Sequence, residues 1–203
     1  MRLGKAAMEA LRAEVTGLLV PGDELVVVGP VALLGTSWIA EEKYEELRKY
    51  FSQGFLVNAK NLHRDYDVTN GKAWKLAEDA GAHALYALKS GGFLAGLWKM
   101  AEASQTGLEV DLRKVPIRQE TIELCEIFDL NPYKLYSEGA LLIGIQGGEA
   151  FVQECRRQGW MAAVIGQTNR GNDRLLYSGE NARYLERPSK DEYLKIGEKR
   201  WQD

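Results

Sequence analysis

The strongest constraint on this chain is the alternation of short apolar runs with segments that repeat apolar residues at helical spacing. Three runs, at residues 24–29, 82–88 and 140–145, are short and bounded by turn residues, which is typical of buried strands. Residues 93–104 instead place their apolar side chains on one helical face. Strands that alternate with helices predict an α/β fold.

The remaining segments extend this pattern. It predicts further helices from residue 3 to 18 and at 40–53, 71–80, 118–128 and 149–158, strands at 108–112 and 161–165, a hairpin through 177–181 and a helical tail from 191. The stretch 55–70 is polar and ambiguous, and Asn70 is expected to cap the helix that follows it. Because no linker or internal repeat is visible, we expect one domain.

Charge and cysteine content exclude several classes of protein. The 26 Lys and Arg residues nearly balance the 29 Asp and Glu residues, whereas nucleic-acid-binding proteins need a dense basic surface. Charges interrupt the first 19 residues, unlike a secretion signal, and the longest uncharged run, residues 25–40, is too short to span a bilayer. Two cysteines without an export signal fit a reducing cytoplasm. We therefore expect a cytoplasmic protein that binds neither nucleic acid nor membrane.

One glycine-rich segment is the most informative for chemistry, because it joins a predicted strand to a predicted helix. It consists of Lys89, Ser90, Gly91 and Gly92. Backbone N–H groups at a helix N-terminus carry partial positive charge and suit a phosphate or carboxylate, and glycines let such a ligand approach closely. Ser90 is expected to cap the helix, and Lys89 adds a positive charge. The alternative is a structural turn, since paired glycines also serve tight connections.

The histidines and cysteines offer weaker candidates. Only His63, His83, Cys125 and Cys155 are present, and their scatter along the chain argues against a structural zinc site. His63 is expected in a solvated loop, with a charged ligand contact as the alternative, and His83 and Cys125 are expected to be structural. Two arginines follow Cys155 and would favour its thiolate, but no histidine lies nearby in sequence to act as a base.

A series of short blocks then carries a family resemblance. The blocks lie at 83–94, 100–104, 107–111, 115–117, 125–126, 130–132 and 137–142. In this order they resemble the C-terminal domain of the aminoimidazole ribonucleotide (AIR) synthase superfamily, which includes the hydrogenase maturation factor HypE, selenophosphate synthetase and thiamine-monophosphate kinase. HypE is the most similar branch. The resemblance implies a mixed β-sheet layered with helices over residues 15–189, with a helical extension at 1–14 and a helical tail at 190–203.

The same resemblance limits the expected activity. In the family, ATP and its metal ions are held mainly by acidic residues of an N-terminal domain, and the active site forms between the two domains. Only about fourteen residues precede the match here, which leads us to expect that this domain is missing. HypE-like members have Asp-Pro-Thr-Arg before the paired glycines, whereas this chain begins that tetrad with Ala87, whose methyl group can neither hold a metal nor move a proton. Leu34 likewise replaces a histidine of many HypE-like sequences.

Two function hypotheses follow. The first is a non-catalytic binding, regulatory or assembly module that retains an anion or nucleotide site at Lys89, Ser90, Gly91 and Gly92. The resemblance places Glu138 and Gly139 near the same cleft, although a simple turn carboxylate is the alternative for Glu138. The second is one half of a split ATP-dependent enzyme, of hydrogenase-maturation or AIR-synthase type, completed by a separate ATP-binding subunit.

Neither hypothesis assigns a catalytic residue, a metal or a cofactor beyond phosphate or a nucleotide. In the second, the family implies attack of an amide or thiocarboxylate-type oxygen on ATP. A homo-oligomer formed through an uncovered sheet face is a further expectation.

Overall fold

The structure is a computed structural model that describes residues 3–65 and 71–197. In these residues one sheet contains β1 Thr16–Gly17, β2 Glu24–Val28, β3 Ala84–Ala87, β4 Gly107–Asp111, β5 Leu141–Ile145, β6 Ala162–Asn169, β7 Arg174–Ser178 and β8 Asn181–Tyr184. The strand order is β1-β3-β5-β2-β6-β4-β7-β8. Among these neighbours β4 and β7 are parallel and the other pairs are antiparallel. The α/β fold and its mixed sheet are confirmed.

Two neighbouring interior strands, β5 and β2, explain why the apolar runs could be recognised from sequence. All five residues of β5 and four of the five in β2 are buried. Their register places Val26 opposite Ile143. Strands covered on both faces lose the polar alternation of a half-exposed strand and become continuous apolar runs.

Helices cover both faces of the sheet. They are α1 Lys5–Glu14, α2 Leu33–Glu42, α3 Tyr44–Leu47, α4 Gln53–Asp65, α5 Lys72–Asp79, α6 Gly92–Ser104, α7 Gln119–Ile127 and α8 Gly148–Arg157. Leu11 of α1 and Phe93 of α6 belong to the apolar core on one face, and Ala77 of α5 and Phe151 of α8 to the core on the other. Helices α2, α4 and α7 enclose a third apolar cluster, which includes Leu124. The central helix α6 lies where the stripe at 93–104 predicts it.

The single helix predicted at 40–53 is wrong. The chain forms α2, the short α3 and α4 instead, so the ambiguous polar stretch is helical as far as Asp65. The uncharged run at 25–40 includes Gly35, which lies buried inside α2. A Cβ atom at Gly35 would lie 2.6 Å from Cγ of Leu135, so this glycine permits close packing rather than breaking the helix.

The opening helix also ends earlier than expected. It stops at Glu14, because Thr16 and Gly17 pair with Leu85 and Ala84 as β1. The hairpin formed by β7 and β8 is confirmed.

The C-terminal segment contains a 3₁₀ turn at Glu192–Lys195 within the described residues. Asn70 and residues 198–203 lie outside the described residues, and the limits of the domain, extension and tail at 1–14, 15–189 and 190–203 stay predictions. None of the helices in the described part of the chain is long and apolar enough to cross a membrane.

Candidate functional site

The glycine loop lies between β3 and α6, as the sequence predicts, and both glycines have left-handed backbone angles. The φ angles are +79° at Gly91 and +66° at Gly92. A Cβ atom at Gly92 would lie 2.6 Å from the carbonyl oxygen of Leu135, which belongs to the segment packed against the start of α6. The second glycine therefore has a packing requirement that is independent of any ligand.

The backbone N–H of Gly91 is bound by a carboxylate of the chain itself. It donates a hydrogen bond of 2.7 Å to Oδ2 of Asp191, one hundred residues away in sequence. The N–H of Tyr193 donates to Oδ1 of Asp191 at 3.0 Å, and the backbone of Tyr136 donates a further hydrogen bond to this carboxylate. The loop thus binds an anion, and that anion is a side chain of the C-terminal segment.

Burial is the main influence on the pKa of Asp191. The side chain is almost fully buried, and desolvation raises its pKa, against the opposing effect of the three backbone hydrogen bonds. Tyr193, two residues later, is completely buried in the third apolar cluster, with its ring centroid 5.2 Å from that of Trp38. The tyrosine anchors the segment that presents the carboxylate.

The other residues of the predicted loop site have different roles. Gly91 is the N-terminal cap of α6, no side chain caps this helix, and the expectation that Ser90 does so is wrong. The Nζ atom of Lys89 lies 3.8 Å from Oε2 of Glu14, which also accepts a hydrogen bond of 2.6 Å from Lys99. The Lys89 side chain is 52% exposed, so its cation remains accessible to solvent.

The segment containing Glu138 and Gly139 lies next to this loop. The N–H of Ser137 donates to the carbonyl oxygen of Lys89 at 3.3 Å, and the N–H of Leu88 donates to the carbonyl oxygen of Ala140 at 2.9 Å. Glu138 is exposed, and its Oε2 accepts a hydrogen bond of 2.7 Å from the hydroxyl of Tyr136. The structure therefore brings the two predicted segments together through their backbones.

A third segment completes the junction of loops. Ser137 is buried and accepts a hydrogen bond of 2.9 Å from the N–H of Ala32, which precedes α2. Leu34 lies in the first turn of α2, and Gly35 donates its N–H to the carbonyl oxygen of Tyr136 at 3.1 Å. Sequence reasoning missed the roles of Ser137 and Asp191, because their hydrogen-bond partners are distant in sequence.

Ala87 is the last residue of β3 and lies opposite Leu141 of β5. Its methyl group is exposed at the end of the strand, immediately before the loop. A methyl group therefore occupies this accessible position beside the candidate site, where the resemblance to HypE-like sequences leads us to expect a carboxylate.

Histidines and cysteines elsewhere are held by structural partners. The Nδ1 atom of His83 lies 2.7 Å from Oδ1 of the fully buried Asp23. His63 belongs to α4, with Nδ1 2.9 Å from Oγ of Ser37, so the prediction of a solvated loop there is wrong.

Burial raises the pKa of Cys125 to about 12 and that of Cys155 to about 11. For Cys155 desolvation is the dominant cause, and Glu154 adds to it, so the thiolate that the neighbouring arginines were expected to favour is disfavoured. In the described ranges, no three His, Cys, Asp or Glu side chains are grouped so that they could hold a metal ion.

Comparison with known proteins connects this architecture to a family. The carbamoyl dehydratase HypE of Rhodobacter capsulatus is 27% identical over 161 residues, which are 77% of this chain and 44% of that protein. The crystal structure of E. coli HypE, a hydrogenase maturation protein, matches with a TM-score of 0.68 and 21% identity over 85% of this chain and 52% of that one. A HypE–HypF complex matches with a TM-score of 0.61 and 16% identity, covering 84% of this chain and 54% of that one.

The chain therefore spans about half the length of the relatives it matches. The family described as AIR synthase related protein, C-terminal domain, matches residues 20–177. Because that match covers well over half of the chain, the chain belongs to this family, as a HypE-like AIR synthase C-terminal domain.

Proposed function

We propose that this HypE-like domain is a binding and assembly module of the cytoplasm that does not catalyse a reaction on its own. The observation that carries the proposal is the state of the candidate site, whose ligand-binding groups are engaged within the chain. Gly91 is bound by Asp191, Lys89 lies near Glu14, and Glu138 accepts from Tyr136. With the methyl group of Ala87 in place of a carboxylate, the loop retains groups that bind an anion but lacks an acid or base of its own.

A phosphate or nucleotide at this loop has to compete with Asp191 for the N–H of Gly91. Lys89 is the group best placed to help such a ligand, because its ion pair with Glu14 is long and exposed and therefore weak. We therefore expect modest affinity that falls with increasing salt.

The experiment has two parts. The purified chain is first incubated with ATP and magnesium, and no phosphate release above the buffer rate is expected. Release that follows the chain through purification would contradict the proposal. Thermal unfolding is then followed with and without phosphate or ATP, and a rise in melting temperature is expected.

Lys89→Gln tests whether the ligand binds at the loop. It should reduce the rise in melting temperature, while Lys49→Gln, which removes an exposed lysine on another part of the surface, should leave it unchanged. Gly91→Asp is a poorer test, because a Cβ atom at this left-handed position would lie 2.7 Å from Cβ of Ala95 and would strain the fold. Equal reductions in the two lysine variants would remove the loop site from the proposal.

One observation favours a second candidate function, a half of a split ATP-dependent enzyme. The chain covers about half of each matched HypE, and one such relative has been solved in complex with HypF. The test mixes the purified chain with a separately expressed ATP-binding half of a HypE relative and measures magnesium-dependent ATP hydrolysis. Activity present only in the mixture would replace the first proposal with the second. Light scattering on the same preparations measures whether the chain forms a homo-oligomer.

A further inference from the structure

A narrow groove lies beside the N-terminus of α6. It encloses only about 20 Å³ of space between the N-terminus of α6, β8 and the segment that follows β8. Leu94 and Leu176 are apolar members of its lining, and Lys134, Arg183 and Arg187 bring positive charge to it. Of the predicted site residues, only Gly91 lines this groove.

The three cations come from three different parts of the chain. Lys134 ends the 3₁₀ turn Pro132–Lys134, Arg183 lies in β8, and Arg187 follows that strand. Within the described residues, none of the three forms a salt bridge with a carboxylate, although many other cations of the protein do. The three cations outnumber the one carboxylate in the lining, that of Glu186, and an anion placed among them relieves their mutual repulsion.

Two features organise these charges. The guanidinium of Arg187 lies 5.9 Å from the ring centroid of Trp98, and this cation–π contact restrains its position at the rim of the groove. The start of α6, whose dipole favours negative charge, forms part of the wall through Gly91 and Leu94. The one carboxylate in the lining is that of Glu186. Asp191 does not line the groove, since its oxygens are directed to the N–H groups of Gly91 and Tyr193.

We infer that this groove, formed by Lys134, Arg183, Arg187 and the N-terminus of α6, binds the phosphate group of a small molecule. Each guanidinium group can donate two parallel hydrogen bonds to phosphate oxygens, and the lysine adds a further donor. The set therefore suits a tetrahedral dianion better than a single carboxylate. The enclosed space is far smaller than a typical small-molecule pocket, so it admits at most a small terminal group of a ligand. The site shares Gly91 with the loop site of the proposed function but uses different cations, and it stands whether or not the chain hydrolyses ATP.

The test measures binding by calorimetry, with inorganic phosphate and ribose 5-phosphate as probes at constant ionic strength. The groove variant carries Lys134→Gln, Arg183→Gln and Arg187→Gln. The matched control carries Lys49→Gln, Arg156→Gln and Arg170→Gln, which remove the same numbers of Lys and Arg from other exposed positions. Urea unfolding shows whether both variants remain folded, and Arg183→Gln alone, on the exposed edge strand, serves if the triple variant does not.

Saturable binding of a phosphate probe by the unmodified chain is expected to weaken about tenfold or more in the groove variant and to stay unchanged in the control. Tighter binding of ribose 5-phosphate than of inorganic phosphate would identify a monoester as the ligand, and the reverse order would identify the free anion. Absence of saturable binding, or equal weakening in the two triple variants, would overturn the inference. It would also be overturned if Lys89→Gln abolished phosphate binding while the groove variant retained it, since the phosphate would then bind at the loop.

Discussion

Replacing Asp191 by alanine tests whether its carboxylate holds the C-terminal segment onto the glycine loop. The substitution removes the acceptor of the hydrogen bonds from the N–H groups of Gly91 and Tyr193, at 2.7 and 3.0 Å, and of the one from the backbone of Tyr136. A buried N–H group left without an acceptor costs about 1–3 kcal/mol, so we expect Asp191→Ala to lower the free energy of unfolding by about 2–5 kcal/mol. Asp191→Asn keeps one carbonyl oxygen and should cost about 1–3 kcal/mol.

Urea unfolding monitored by tryptophan fluorescence measures these changes. Asp79→Ala is the matched control, because Asp79 is exposed and its ion pair with Lys75 lies on the surface of α5, where such pairs contribute about 0.3–0.5 kcal/mol. If the free energy of unfolding of Asp191→Ala fell no further than that of the control, the carboxylate would not hold the segment.

The pH dependence gives an independent measurement at the same residue. Because burial raises the pKa of Asp191 above its ordinary value of 3.8, the folded state favours the protonated form. The resulting stabilisation is fully present below the ordinary value and is lost as the pH rises through the higher folded value. We therefore expect the stability difference between the unmodified chain and Asp191→Asn to shift in favour of the unmodified chain as the pH falls from about 7 towards about 4. A difference that does not vary with pH would contradict this assignment.

Two further predictions concern the loop glycine and the buried thiols. Gly92→Ala should lower the free energy of unfolding by about 3 kcal/mol or more, because its Cβ atom would meet the carbonyl oxygen of Leu135. Gly54 lies in α4 with open space around it, so Gly54→Ala should be neutral or stabilising by up to about 1 kcal/mol in the same urea assay. Cys125 and Cys155 should react with a thiol reagent only after urea unfolding, because burial raises their pKa values to about 12 and about 11, and rapid labelling of the folded chain would contradict this.

The sequence predicts the elements whose burial leaves a simple pattern. The interior strand β5 is buried along its whole length and α6 has a continuous apolar stripe, so each could be identified from its own residues. Helix α2 could not, because the property that matters at Gly35 is the proximity of Leu135, one hundred residues later in the chain. A glycine that permits close packing and a glycine that breaks a helix look the same in a single sequence.

The candidate site could likewise be predicted only in part from the sequence. The loop from Lys89 to Gly92 lies between a strand and a helix, where its composition predicted it. Its partner Asp191 could not be predicted, because the hydrogen bond to Gly91 depends on the path of the C-terminal segment across the start of α6. That path depends in turn on the burial of Tyr193 in a cluster formed by other helices.

Paired glycines before a helix are therefore an ambiguous indicator of ligand binding in this protein. Gly92 is required by its contact with Leu135, and the N–H of Gly91 already has a carboxylate partner, so both glycines are accounted for without an external anion. An external anion at the loop has to displace Asp191 and leave that buried side chain without its partner. In the groove beside β8 it meets Arg183 and other cations that have no carboxylate partner to exchange. We therefore expect an external anion to bind in the proposed groove at a lower electrostatic cost than at the loop that the sequence indicated.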